Sequence, residues 1–311
     1  MTVNSVTTCP SCGAPAQGRY CADCGQDQRP VARRWRSYGA EFLDLTLSLD
    51  SSTLKSIWTL IRRPGALSRL KVANQSSELV SPIKLFFVTL VFYGLFFGLS
   101  PVHYGEVRFG TDLELYGFGD PRLASSEFLF FSSGLSPEKL VQPGLLELLR
   151  AGEAEGLEGD QAARILALAD NPLEAERLQA RFSSLVPYGV LALVPPVLVF
   201  GMLIYRRRYV VEHFFVALEA TTQYLLLTIV TGVGVFVLRT AGFMVGEYEP
   251  FLFFMFPAAI LWMAATLRGF YAMRRVFAVP AALAILVVYW VLDGFITEAF
   301  VVFALSRVTL G

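Results

Sequence analysis

Residues 83–99 read IKLFFVTLVFYGLFFGL, seventeen positions with one charged side chain, Lys84, next to the start. An α-helix rises about 1.5 Å per residue, so roughly 17–25 mostly apolar residues cross the ~30 Å hydrocarbon core of a bilayer. The stretch predicts a transmembrane helix. Four more follow downstream, at 186–205, 214–238, 251–267 and 278–305. Pro195-Pro196 predicts a kink in the second span, where neighbours must satisfy the freed carbonyls. The last span is long enough to tilt, or to break near Asp293-Gly294.

Composition agrees with this reading. Of 311 residues 54% are hydrophobic and 17% charged, against roughly 25% charged in an ordinary soluble domain. Mean hydropathy is +0.52. Lys+Arg and Asp+Glu both total 26, which disfavours a uniformly basic nucleic-acid binder. So much apolar residue also excludes intrinsic disorder.

Basic residues set the expected orientation. Arg33, Arg34, Arg36, Arg62, Arg63, Arg69 and Lys71 precede the first span, Arg206-Arg207-Arg208 separate the second from the third, and Arg268, Arg274 and Arg275 separate the fourth from the fifth. The loop near 247–250 has none, with only Arg239 at its edge. Five spans place all three clusters on one face, with the N-terminus cytoplasmic and the C-terminus external.

All four cysteines lie at the N-terminus, in Cys9-Pro-Ser-Cys12-Gly and Cys21-Ala-Asp-Cys24-Gly. The C-x-x-C spacing lets two thiolates reach one ion, and the Gly that follows permits the tight turn. Two such knuckles predict a closed tetrahedral site of four thiolates, with structural Zn2+ as the expected ion and a small zinc ribbon as its fold. Redox chemistry lacks a surrounding βαβ pattern, and disulfides lack any sign of export. Iron in a rubredoxin-like site remains the other metal reading, against which stands the short gap between knuckles. The first twenty residues are polar and carry no signal-peptide core.

Between ribbon and first span, residues 37–72 read as amphipathic. Phe42, Leu43, Leu45, Leu47, Leu54, Ile57, Trp58, Leu60 and Ile61 form the apolar face, and Arg62-Arg63-Pro64-Gly65 ends the helix. Such a segment lies in the headgroup layer or packs on the ends of the bundle. The insertion 101–185 begins Gly-, Phe- and Ser-rich with strand-like Glu106–Phe109. It continues as helices over 143–150 and 161–169 and one capped by Asn171-Pro172 through Arg181. A solvated helical hairpin on the bundle is the expectation, a ligand-binding domain the sharper alternative.

Ionisable residues within spans are costly and raise functional hypotheses. Glu212 and His213 stand at the start of the third span and Glu219 two turns further along it, with Asp293 and Glu298 in the last. Glu212 and Glu219, seven apart, share a helix face, with His213 one position off it. They make either a structural polar network or, with Asp293, an intramembrane polar site. The alternative for Asp293 and Glu298 is a final helix that ends earlier and leaves both acids at the outer interface. No second His lies in reach of His213, since the other is His103, and no Gly-x-Ser-x-Gly, P-loop or dinucleotide fingerprint occurs. No catalytic residue is expected. Gly94 and Gly98 form a G-x-x-x-G suited to close helix packing within the chain or in a homo-oligomer.

These motifs, in order, carry a resemblance. The double C-x-x-C-G ribbon ends Tyr20-Cys-Ala-Asp-Cys-Gly-Gln26. There follow an amphipathic stretch ending Arg63-Pro-Gly65, then Ser81-Pro82 opening a Phe/Leu-rich span, then Tyr209-Val-Val-Glu-His-Phe-Phe-Val-Ala-Leu218. Together they resemble the bacterial zinc-ribbon membrane family filed as domain of unknown function 3667. The resemblance implies the architecture and a bacterial inner membrane, and leaves activity open. The chain departs from the family pattern at Asn74–Val80, where a basic stretch is usual, and at Glu219 and Thr221, where further His are usual.

The expected fold is therefore an all-α polytopic membrane protein of about five transmembrane helices with a small N-terminal zinc ribbon. Its organisation is ribbon 1–30, juxtamembrane region 31–80, first span 81–100, external partly helical insertion 101–185 and four-helix membrane region 186–311. The expected role is a non-enzymatic scaffold whose ribbon docks a protein partner, in contact with membrane lipids and not with nucleic acid, since Arg19 and Arg29 are the ribbon's only basic residues. The alternative is a small transporter, channel or lipid-handling protein using Glu212, His213, Glu219 and Asp293.

Overall fold

The computed structural model describes residues 7–16, 18–28, 51–75, 78–99, 106–116, 119–129, 140–157, 160–243 and 251–309. The expected apolar positions Phe42, Leu43, Leu45 and Leu47, the basic residues Arg29, Arg33, Arg34 and Arg36, His103 and the loop 247–250 lie outside the described residues. The fold is that of an all-α polytopic membrane protein with a four-cysteine module at its N-terminus. Five helical stretches are long and apolar enough to cross a membrane.

The chain divides into two compact units. The first takes Met1–Tyr93, Leu191–Thr228 and Phe253–Trp290. In its N-terminal module, β1 (Thr7–Thr8) pairs antiparallel with β2 (Pro15–Ala16), and Tyr20 bridges Asp27. Helix α1 (Ser51–Arg62) ends where the arginine pair and Pro64 were expected to end it, and α2 (Ala66–Val72) follows at once. Leu60, Leu67, Val80 and Leu85 form one buried cluster, with Ile57, Leu79 and Leu226 packed against it. The described part of the amphipathic region thus packs on membrane-helix residues through one face. Its other face leaves Leu54, Trp58 and Ile61 exposed, with the Arg62 guanidinium 4.3 Å over the Trp58 ring.

The spans contributing to this unit are α3 (Pro82–Leu99), α9 (Val210–Thr240), α10 (Phe251–Tyr271) and α11 (Arg275–Leu305), with α8 described below. Half of the apolar window of α9 is buried, against 28% for α11, so α9 is the more central helix. That burial explains its unusual content: Glu219, Thr221, Thr222, Gln223 and Thr228 are all buried. The threonines settle their hydroxyls on the carbonyl four residues back, as Thr221 on Ala217, Thr222 on Leu218 and Thr228 on Tyr224.

The second unit takes Gly94–Val190, Ile229–Leu252 and Val291–Gly311. Here β3 (Glu106–Thr111) pairs antiparallel with β4 (Ala124–Leu129), and the short α4 (Asp112–Tyr116) lies between them. Then come α5 (Pro143–Ala151), α6 (Gln161–Asp170) and α7 (Pro172–Gly189). Val107, Phe109, Leu140, Leu145, Ile165, Leu178 and Phe182 are buried, and a pair of strands accompanies the helices of the insertion. Polar clasps set its geometry. The Gln179 side chain accepts from Val107 N and donates to Val107 O, acting as a partner for the strand. Glu114 accepts from Thr111, Gly144 and Leu145, capping the start of α5. Asn171 caps α7 by accepting from Leu173 N, with Pro172 in the first turn, as the sequence indicated.

Two expectations are corrected. The helix begun at Pro172 does not stop at Arg181. It runs to Gly189, passes through a 3-10 turn (Val190–Leu193) and continues as α8 (Val194–Ile204). Pro195 and Pro196 fall in the first turn of α8, where a missing N–H costs little, and the tighter turn just before them takes the place of an expected mid-helix kink. The proline pair therefore produces no kink inside the span, and of the two alternatives for the last span the unbroken one holds: α11 is continuous through Asp293-Gly294. Beyond it, Arg164 donates to the carbonyls of Ser306 and Val308, and Arg181 to that of Arg307, which satisfies acceptors at the end of this 31-residue helix.

Candidate metal centre

The two cysteine knuckles fold alike. Cys9 N donates to Ala14 O and Gly13 N to Cys9 O; Cys21 N donates to Gln26 O and Gly25 N to Cys21 O. Gly13 and Gly25 sit at φ 77° and 72°, the left-handed conformation that the glycine after each C-x-x-C was expected to supply. The repeat aims four sulfurs at one point. All four lie within 4.8 Å of one another, with Cys9–Cys24 and Cys12–Cys21 at 3.6 Å. Disulfide sulfurs would be about 2.05 Å apart. A tetrahedral ion with metal–sulfur bonds of about 2.3 Å needs sulfurs roughly 3.8 Å apart. The donor set therefore fits a thiophilic ion, held by Cys9, Cys12, Cys21 and Cys24.

The backbone prepares the thiols unequally. The Cys12 amide, helped by the Gln28 side chain and the Ser11 amide, pulls the Cys9 thiol down to about 6 against the cost of burial. At Cys12 the Ala14 amide also pulls downward, but the thiol of Cys24, burial and the thiols of Cys21 and Cys9 outweigh it and push Cys12 up to about 12. Four sulfurs this close share protons until a cation replaces them.

The module is fastened to the helices. The Gln26 side chain, two residues past Cys24, donates to Asn74 Oδ1 at 2.8 Å, and Asn74 Nδ2 donates to Asp27 O at 2.9 Å. Tyr20, bridged to Asp27, is 53% exposed, with the Arg19 guanidinium 5.0 Å from its ring.

The membrane residues singled out from sequence have separate partners. Glu219 is fully buried, and each carboxylate oxygen accepts one backbone N–H at 2.8 Å, from Gly65 and from Ser68. It caps α2 in place of a local side chain, because the N-cap residue Gly65 (φ 82°) has none. Glu212 pairs with Arg208 at 3.1 Å. His213 is fully buried with Nδ1 2.7 Å from Tyr271 Oη, and Tyr271 stacks on Tyr205 with ring centroids 4.3 Å apart. A side chain at Gly201 would meet both His213 Nδ1 and Tyr271 Oη at 2.5 Å, so that glycine makes room for the pair. Asp293 belongs to neither group. Its Oδ1 lies beside Gly189, 2.6 Å from where a Cβ there would stand. Glu298 is exposed.

Sequence reasoning missed Gly269 and Tyr271, and the contacts that Gly65 and Asn74 make. Gly65 and Gly269 are the contact that seats the α1–α2 turn. A Cβ at Gly269 would overlap the Pro64 carbonyl, and one at Gly65 the Thr266 carbonyl. A glycine in the last turn of a span, four residues before Met273, was a signal that could have been read. Asn74 offered no such signal; its positive φ of 57° is seen only in the structure.

No family model matches this chain, and neither a curated protein nor a solved structure matches it.

Proposed function

We propose that the chain is a non-enzymatic scaffold of the bacterial inner membrane, a member of the zinc-ribbon family it resembles, whose N-terminal module holds structural zinc and presents a docking face to a protein partner in the cytoplasm. The observation that carries this reading is the closed four-thiol cluster, pinned at Gln26 and Asp27 while the Arg19–Tyr20 face stays exposed. A closed tetrahedral site leaves no open position for a substrate, so its service is to shape. Zinc is the ion favoured by four thiolates and by a module too small to fold on its own core. The N-terminus lies in the cytoplasm by the arginine distribution, where thiols stay reduced, and the C-terminus outside. The outer stripe Leu54, Trp58 and Ile61 of α1, with Arg62 over the indole, suits the lipid headgroup layer.

The transport reading draws less support. Glu219 has both oxygens occupied, Glu212 is paired and His213 holds Tyr271, so these groups serve three different contacts.

The test is crosslinked affinity capture from native membranes with three expression-matched forms: wild type, Cys21→Ser/Cys24→Ser, and Tyr20→Ala. One zinc per chain in the wild type, and a partner retained by it and lost from both variants, is the expected result. Identical partner sets in all three would sink the docking role.

A further inference from the structure

We infer that α2 is a strut that couples the metal state of the cysteine module to the packing of the membrane helices. The inference rests on the metal reading above and goes beyond it, because it gives the ion an intramolecular effect that needs no partner.

Only seven residues long, α2 is too short to persist by its own propensity, and its end contacts decide whether it forms. Both ends are fastened by side chains from distant parts of the chain. At the N-terminal end the buried Glu219 carboxylate takes the N–H groups of Gly65 and Ser68. Just past the C-terminal end, Asn74 exchanges hydrogen bonds with the Gln26 side chain and the Asp27 carbonyl. Between them Leu67 is buried in the cluster shared with Leu60, Val80 and Leu85.

The residues that hold Asn74 belong to the metal knuckle itself. Gln26 O accepts the Cys21 amide, and Gln28 Nε2 donates both to Gln26 O and to Cys9 Sγ. Whatever shapes the Cys21–Cys24 turn therefore shapes the face that grips Asn74. Metal supplies the folding free energy of such small modules, and its loss releases that turn. Asn74 then loses its bonds to Gln26 and Asp27, and the C-terminal end of α2 loosens against the bundle. Coupling of this kind is reciprocal in sign, so freeing the Glu219 end loosens α2 and weakens metal retention.

The test uses the full-length protein in detergent micelles. Bound zinc is measured together with amide hydrogen exchange over residues 63–75, before and after chelation. In the wild type, chelation should speed exchange across α2 roughly tenfold, the scale of a lost pair of hydrogen bonds. Asn74→Ala should keep one zinc per chain yet show the same fast exchange with or without it, while Asn74→Asp, which retains the acceptor for Gln26, should fall between. Glu219→Gln should surrender zinc to chelator several-fold faster. Zinc bound and removed with no change in wild-type α2 exchange overturns the strut and leaves the metal reading standing. An Asn74→Ala response equal to wild type also overturns it. A wild-type protein that never holds zinc overturns the metal reading, and the strut with it.

Discussion

Replacing Glu219 is the sharpest probe of how the juxtamembrane segment is held. The side chain is fully buried, and its two oxygens accept the Gly65 and Ser68 amides at 2.8 Å. Glu219→Ala leaves both donors buried without an acceptor, at about 1–3 kcal/mol each. Part of that is returned, because the variant no longer takes a carboxylate out of water. The expected net loss is about 2–4 kcal/mol. Glu219→Gln keeps one carbonyl acceptor but turns an amide N–H toward the second donor, so roughly half of that loss is expected. The assay is thermal unfolding of the purified protein in detergent, paired with amide exchange resolved at Gly65 and Ser68. The order wild type, Gln, Ala should appear in both readouts. An Ala variant as stable as wild type, with Gly65 and Ser68 equally protected, would refute the claim that this carboxylate holds the turn.

Glycine replacements separate seats from open faces. Gly269→Ala should destabilise by at least the ~1–3 kcal/mol of an overpacked core, since the added Cβ meets backbone that has no rotamer to escape into. Gly94→Ala and Gly98→Ala meet nothing within 4 Å among the described residues, so the better helix propensity of alanine should stabilise each variant by up to about 1 kcal/mol and raise its unfolding midpoint slightly; a fall accompanied by loss of a crosslinked dimer would reveal a second copy on that face. Arg164→Ala should free the carbonyls of Ser306 and Val308 and raise proteolytic cutting after α11, at a cost near 1 kcal/mol. The pH dependence of that clamp follows from Asp160, which Arg164 holds below the usual carboxylate range by hydrogen bond and charge. A depressed acid contributes stability above its unfolded value of about 3.9 and loses it as pH falls through the lower folded one. The gap between wild type and Arg164→Ala should therefore stay constant from neutral pH down to about 4 and narrow only below it.

The ease of reading differed by element. Apolar length alone located the membrane helices, because about twenty mostly apolar residues in a row leave few alternatives to a span. The caps at Asn171-Pro172 and the knuckle glycines Gly13 and Gly25 were legible for a similar reason: the requirement is satisfied within three or four residues. The helix expected to stop at Arg181 was misjudged because its continuation to Gly189 depends on packing that no local signal announces. Sequence left the last span free to tilt or to break at Asp293-Gly294; it does not break, because one glycine costs a helix only about 1 kcal/mol, which a long helix absorbs.

The division for the polar residues is physical. By itself, the sequence determined that four thiols share one centre, since C-x-x-C-G geometry is local, and that Glu219, His213 and Asp293 stand in apolar helices where a charge needs an explanation. Which groups satisfy them was decided only by the tertiary structure. The partners of Glu219 are backbone amides 151 and 154 positions away in the chain, and amides carry no residue identity for a pattern to reveal. Asn74 is 48 residues from Gln26, and its role depends on where a seven-residue helix ends in space. Local chemistry follows from the order of residues; long-range hydrogen bonds to backbone appear only once the chain has folded.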